Sequence, residues 1–219
     1  MRRTITVSLI LCLLLTFITA CNAPSEMLTE GDLTLEIYLD SKGRAETIKT
    51  YKNGKRIDSW RLRSSVGYNE APITVRDVNF DGHPDLRILI TTGKHLRYAH
   101  RIYDAATGTF YTDEQLDSML DVSILPEQKQ ITAYYRTHTI DPAVGTTPET
   151  YIDEQGVNTY EWRDGELFNV RRECVTYYSE SDIYCVATWE LNPDGVLEPY
   201  DEQWLSPEKY EAQGFEPIS

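Results

Sequence analysis

Residues 75–90 carry oxygen-bearing side chains at the spacing of a calcium-binding loop. Calcium takes about six to eight oxygen ligands, and alternate side chains on a tightly curled loop converge on one point. Gly82 stands where such a loop must turn sharply. The spacing therefore predicts a calcium site with ligands at loop positions 1, 3, 5, 7 and 9. The predicted ligands are Asp77, Asn79, Asp81, the backbone carbonyl of His83, and Asp85.

The segment after this loop departs from the EF-hand pattern. An EF-hand has a bidentate glutamate at position 12, whereas this chain has Ile88 there, in an apolar and β-branched run. The loop is therefore predicted to lead into a buried strand, and calcium is expected to pin one hairpin. The alternative is a turn that holds no metal, because Asp, Asn and Gly form turns on their own.

Most of the chain shows the alternation of half-buried strands. Apolar and polar residues alternate from Leu33 to Leu39, for example, and tight-turn dipeptides separate such runs. Hairpins of this kind join antiparallel neighbours, so we predict an all-β antiparallel meander in a single domain, residues 32–219. One short helix is predicted at 112–120, with Thr112 as its cap. The turn dipeptides are Asn53-Gly54, Thr107-Gly108, Asp164-Gly165 and Asp194-Gly195.

The first twenty residues have the three-part layout of a secretory signal. Arg2 and Arg3 precede an apolar run that is too short to span a bilayer, and small residues lead to Cys21. The residues up to Cys21 resemble a lipobox, which implies cleavage after residue 20 and a lipid on Cys21. Residues 21–31 are then the lipidated tether, and Asn22 favours the outer membrane. The alternative is an ordinary signal with a chance cysteine.

The two remaining cysteines of the secreted protein are Cys174 and Cys185. In an oxidising compartment we expect them to form a disulfide, and two cysteines are too few for a structural zinc site. The alternatives are two free thiols or one catalytic thiol.

The composition is strongly acidic, with 35 acidic against 21 basic residues and a net charge of −14. Such a surface repels nucleic acid and anionic lipid headgroups and attracts cations or basic proteins, so no nucleic-acid partner is expected. A charged surface that only maintains solubility is the alternative. The four histidines show neither zinc-protease spacing nor a partner serine motif, and we expect no enzymatic activity.

The segments DVNFDGHPDL and HRIYDAATGTFYTDEQL, followed by a hairpin with Tyr160 and Trp162, resemble a family of periplasmic lipoproteins of bacteria. That family includes the immunity protein of a bacteria-killing type IV secretion system, which inhibits a lysozyme-like effector. The resemblance spans residues 74–172. It implies a β-propeller-like fold and a bound calcium ion, with Asp77, Asn79, Asp81 and Asp85 as ligands.

The resemblance also implies a function. The chain is then a periplasmic, lipid-anchored inhibitor that binds and blocks a lysozyme-like peptidoglycan hydrolase, and the alternative is a non-inhibitory calcium-stabilised structural or binding lipoprotein of the envelope. The candidate contact residues are Tyr177, Tyr178 and Ser179, near a hairpin tip, because tyrosine suits insertion into a sugar-binding groove. Otherwise these tyrosines pack on their own sheet. The oligomeric state stays open.

Overall fold

The structure, a computed structural model, describes residues 23–62, 66–68, 72–140 and 151–215. The predicted lipidation site, Cys21, lies outside these residues, as does the predicted signal. The described residues form fourteen strands and two short helices, so the all-β fold class is confirmed.

A four-stranded antiparallel sheet comes first in the chain. In its second strand the apolar residues Leu33, Leu35 and Ile37 are buried, as the alternation predicted. The first strand lies within the segment that the sequence assigned to the tether, so the sheet begins earlier than expected. In spatial order the strands are β1 (Glu26–Glu30), β2 (Leu33–Leu39), β3 (Ala45–Lys52) and β4 (Lys55–Arg61).

The later strands form one ten-stranded antiparallel sheet. They are β5 (Ile73–Arg76), β6 (Asp85–Thr91), β7 (Arg97–Asp104), β8 (Thr109–Tyr111), β9 (Leu120–Leu125), β10 (Gln130–Ile140), β11 (Tyr151–Arg163), β12 (Glu166–Tyr178), β13 (Ile183–Leu191) and β14 (Leu197–Leu205). The spatial order is β14-β13-β12-β11-β10-β9-β7-β6-β5, with β8 beside β7. β7 and β9 pair only through Arg97 and Leu120. The sheet therefore consists of two groups of strands, β5–β8 and β9–β14, that are connected by this single residue pair.

The antiparallel meander is confirmed, and the propeller-like arrangement is not. All four predicted turn dipeptides join neighbouring strands, and each has its glycine at positive φ. Within the described residues, however, the strands form two open sheets and no closed barrel or propeller. A propeller needs separate four-stranded blades, whereas the hairpins from β9 to β14 continue edge to edge in one hydrogen-bonded sheet.

The two sheets share one apolar core. Ile37 and Ile48 of the first sheet pack with Leu86 and Ile88 of the second, and all four are fully buried. Each such side chain contributes about 1.5–3 kcal/mol on removal from water. Lys52 also bridges the sheets, because its Nζ donates a hydrogen bond to the Tyr103 hydroxyl at 2.9 Å. This core holds the first sheet against β6, beside the predicted calcium loop.

The two helices are α1 (Glu114–Ser118) and α2 (Pro207–Ala212). The cap of α1 is Asp113 and not Thr112, because the Asp113 carboxylate accepts the Leu116 N–H at 2.8 Å. Leu116 is then buried in a second core under β9 and β10. Within the described residues no helix is long and apolar enough to cross a membrane.

Candidate functional site

The predicted calcium loop is the connection between β5 and β6. Arg76 and Asp85 pair at the base of this hairpin, so the loop consists of residues 77–84. Phe80 and Gly82 have positive φ values of 61° and 87°, and these two residues turn the chain back on itself. Glycine adopts this conformation without steric cost, which explains Gly82 at the sharp turn.

Side chains inside the loop hold its backbone. Asp77 accepts N–H groups from Asp81 at 3.1 Å and from Gly82 at 2.9 Å. Asn79 donates its amide N–H to the Asp81 carboxylate at 2.9 Å, and the other carboxylate oxygen of Asp81 accepts the N–H of His83 at 2.8 Å. Asp77, Asn79 and Asp81 are therefore brought together on one curled segment, as their spacing predicted.

Asp85 has a different environment. Its side chain is 0% exposed, and it accepts the N–H of Val78 at 2.8 Å and of Tyr103 at 2.7 Å, with a longer bond of 3.4 Å from Asn79. Burial raises the pKa of Asp85 to about 7, and the bonds from Tyr103 and Val78 oppose this increase. Asp85 thus closes the base of the loop and ties it to β7.

The residues present fit a hard divalent cation in chemical type. Asp77, Asn79 and Asp81 offer oxygens, and a carboxylate oxygen that accepts one N–H retains acceptor capacity. Two clefts of about 430 Å³ and about 410 Å³ flank Asp77, so the loop is accessible to a cation.

The same residues do not form a complete cage. Across the described ranges, no three His, Cys, Asp or Glu side chains form a group that could hold a metal ion. Hydrogen bonds from the backbone occupy three of the roughly four acceptor positions of Asp85. Asp77, Asn79, Asp81 and the His83 carbonyl are therefore the residues that would hold calcium with the most acceptor capacity left, and the role of Asp85 as a further ligand stays a prediction.

The predicted disulfide between Cys174 and Cys185 is absent, and both cysteines are free and buried. Cys174 stands opposite Ala187, and Cys185 stands opposite Thr176. The two cysteines are therefore diagonal neighbours, whose Cα atoms lie about 7–8 Å apart, whereas a disulfide needs less than about 7 Å. Burial raises the pKa of both thiols, to about 12 for Cys185, so they remain protonated core groups.

The predicted contact residues near the β12–β13 tip are engaged within the fold. The Tyr177 hydroxyl donates to Asp182 at 3.0 Å, and its ring lies 4.7 Å from that of Tyr184. The Ser179 hydroxyl accepts the N–H of Tyr151 at 2.7 Å. The Tyr178 ring contacts that of Trp204 at a centroid distance of 5.4 Å. Tyr177 and Ser179 thus follow the alternative in which the tip packs on its own sheet.

The sequence did not identify two aromatic residues that are exposed in the structure. Tyr200 and Trp204 of β14 are 73% and 55% exposed, and no motif marks them. The signal that could have identified them is an aromatic pair within a strand rich in acidic residues, LEPYDEQWL.

Comparison with known proteins shows a shared fold. No protein-family model matches this chain, and no curated protein matches it. Among solved structures it is similar to one described as the structure of a Xanthomonas type IV secretion system related protein, with a TM-score of 0.50 and 14% sequence identity. The likeness covers 80% of this chain and 92% of that one. The chain therefore has the fold of a type IV secretion system related protein, over nearly the whole length of that protein.

Proposed function

We propose that this chain is a lipid-anchored protein of the bacterial envelope that binds and blocks a lysozyme-like peptidoglycan hydrolase. Cys21 carries the lipid, the folded part faces the periplasm, and the anchor lies in the outer membrane. The protein acts by occluding the cleft of the hydrolase and performs no catalysis itself.

The observation that carries this proposal is the fold shared with the Xanthomonas type IV secretion system related protein. The sequence resemblance over residues 74–172 points to the same class of secretion system through different evidence, namely the loop motif and the segments that follow it. Backbone geometry and local sequence thus both support a role associated with a type IV secretion system. The net charge of −14 is consistent with a basic protein partner.

We also propose that calcium stabilises the protein through Asp77, Asn79, Asp81 and the His83 carbonyl. When bound, the ion would neutralise the carboxylates of Asp77 and Asp81 and hold the β5–β6 hairpin closed. Hydrogen bonds between loop residues already form the curled loop without a metal ion. Calcium would therefore add to the stability of a loop that is already formed.

Inhibition is tested with the full-length protein, purified in detergent, and a panel of lysozyme-like hydrolases acting on purified peptidoglycan. The expected result is loss of turnover of at least one hydrolase at a molar ratio near one to one, because cleft occlusion is stoichiometric. Bovine serum albumin, which is also acidic, serves as the control for non-specific charge effects. Full activity of every hydrolase at a large molar excess would contradict the inhibitor function and favour a structural envelope lipoprotein.

Calcium binding is tested by thermal unfolding. Ligand at about one hundred times its Kd stabilises by about 2.7 kcal/mol, which corresponds to a rise in Tm of roughly 5–10 °C for a chain of this size. We expect this rise on replacing EDTA with calcium, and its loss in Asp81→Asn, which keeps an oxygen for the His83 N–H. Asp164→Asn, in the exposed β11–β12 turn, is the matched control. An equal calcium shift in Asp81→Asn and in the control would rule out this loop as the site.

A further inference from the structure

β14 is an edge strand with an open outer side. It pairs with β13 along one side and ends the ten-stranded sheet. Seven consecutive residues, 198–204, are exposed on this strand, whereas every residue of the neighbouring strand β13 is buried or half-buried. Nothing else in the described residues hydrogen-bonds to its outer edge as a strand. Residues 198–204 are therefore presented to solvent on both faces and along one edge of the strand.

This strand carries the two most exposed aromatic side chains among the described residues. Tyr200 is 73% and Trp204 is 55% exposed, and the other exposed aromatics are at or below 40%. Tyrosine and tryptophan are enriched at the energetic centres of protein interfaces. The contact of the Trp204 ring with half-buried Tyr178 holds the indole in place, so that binding through it costs less conformational entropy.

The charged residues of β14 and of the chain on either side of it have one sign. The twenty residues from Trp189 to Glu208 contain six acidic residues and no lysine, arginine or histidine. Glu198, Asp201 and Glu202 lie on β14 itself and are exposed. The surface therefore complements a partner that is basic, and it repels an acidic one.

The edge is poorly suited to the addition of a partner strand. Pro199 has no N–H to donate, and a bulge interrupts the β13–β14 register between Thr188 and Trp189. Proline, bulges and charges are the features by which edge strands avoid pairing with other chains. A partner would therefore contact the side chains of β14 and leave its backbone edge unpaired.

We propose that the β14 surface, residues 197–205 together with Tyr178, docks the basic surface of a folded protein, with Trp204 and Tyr200 as its anchors. This proposal rests on the proposed function, since the occupant is the peptidoglycan hydrolase. Peptidoglycan bears carboxylates on its peptide stems, so basic groups around the cleft of a hydrolase favour its association with this substrate. The acidic and aromatic β14 surface matches that rim, whereas Tyr177 and Ser179 are held within the sheet.

The test is direct binding of the full-length protein, in detergent, to an immobilised panel of basic lysozyme-like hydrolases. Trp204→Ala and Tyr200→Ala are each expected to weaken binding at least about 10-fold, as anchor residues do. Met27→Ala, whose side chain is 62% exposed on β1 of the other sheet, is the matched control and is expected to bind as the wild type does. Thermal unfolding of each variant separates loss of contact from loss of fold.

A second set of variants tests the acidic residues of β14. Glu198→Gln with Asp201→Asn is expected to slow association at low salt more than at high salt, because steering by exposed charges is screened by ions. Glu46→Gln with Glu127→Gln, exposed acids elsewhere, is the control pair. If Trp204→Ala and Tyr200→Ala both keep their folds and bind a hydrolase as tightly as the wild type does, the β14 surface is not the docking site. The proposed inhibitor function would still stand. Absence of wild-type binding to every hydrolase would overturn both proposals.

Discussion

Alanine at position 156 will destabilise the protein far more than alanine at position 93, the position of another glycine that has an ordinary backbone conformation. A Cβ added to Gly156 would lie 2.1 Å from the carbonyl oxygen of Glu173 and 2.8 Å from the Cα of Cys174. Both neighbours are backbone atoms of β12, so relief requires the paired strands to separate. Overpacking of this kind costs about 3 kcal/mol, and the expected fall in Tm is roughly 6–12 °C.

The matched control for this variant is Gly93→Ala. A Cβ at Gly93 has no atom within 4 Å, and its backbone is not left-handed, so its free energy of unfolding should change by no more than about 0.5 kcal/mol. Urea unfolding of both variants measures the difference directly. Equal stability of the two variants would mean that β11 and β12 do not approach each other as closely as the structure has them at Gly156 and Cys174.

Asp85→Ala has the second large expected effect. It removes the acceptor of the buried N–H groups of Val78 and Tyr103, and an unsatisfied buried donor costs about 1–3 kcal/mol. We therefore expect a loss of about 3–5 kcal/mol in the free energy of unfolding. The loss should be the same in EDTA and in calcium, because the role assigned to Asp85 is to hold the loop backbone.

The control for Asp85→Ala is Asp81→Asn, which changes an exposed loop residue. In EDTA this variant should unfold within about 0.5 kcal/mol of the wild type, since it keeps a carbonyl oxygen for the His83 N–H. Urea unfolding in each buffer distinguishes the two roles. Destabilisation by Asp85→Ala in calcium alone, with none in EDTA, would show that Asp85 acts as a ligand and not as a structural acceptor.

Local features of the fold followed from the sequence. The turns at Asn53-Gly54 and Asp164-Gly165 are where they were predicted, because residues that adopt positive φ are needed there whatever the rest of the chain does. The buried face of β2 followed from its alternation in the same way. The curl of the candidate calcium loop followed from Gly82 and from side chains that bond to backbone groups within five residues.

The predictions that failed concern pairs that are distant in sequence or depend on a register. The expected disulfide required Cys174 and Cys185 to face each other, and the β12–β13 register places them two residues out of line. The propeller required blades, and the hairpins continue in one sheet. The register between two strands depends on the packing of whole strands. It cannot be deduced from the positions of two cysteines or from a turn motif.

The sequence by itself determined the strand alternation, the turn positions and the chemistry of the loop at 77–85, because each depends on residues near one another in the chain. Tertiary structure decided three things: that Asp85 faces the amides of Val78 and Tyr103, that Tyr177 is tied to Asp182, and that β14 is left at an edge. Burial and strand order are properties of the assembled sheet. The exposure of an aromatic side chain such as Trp204 is therefore fixed only when its strand takes its place in the sheet.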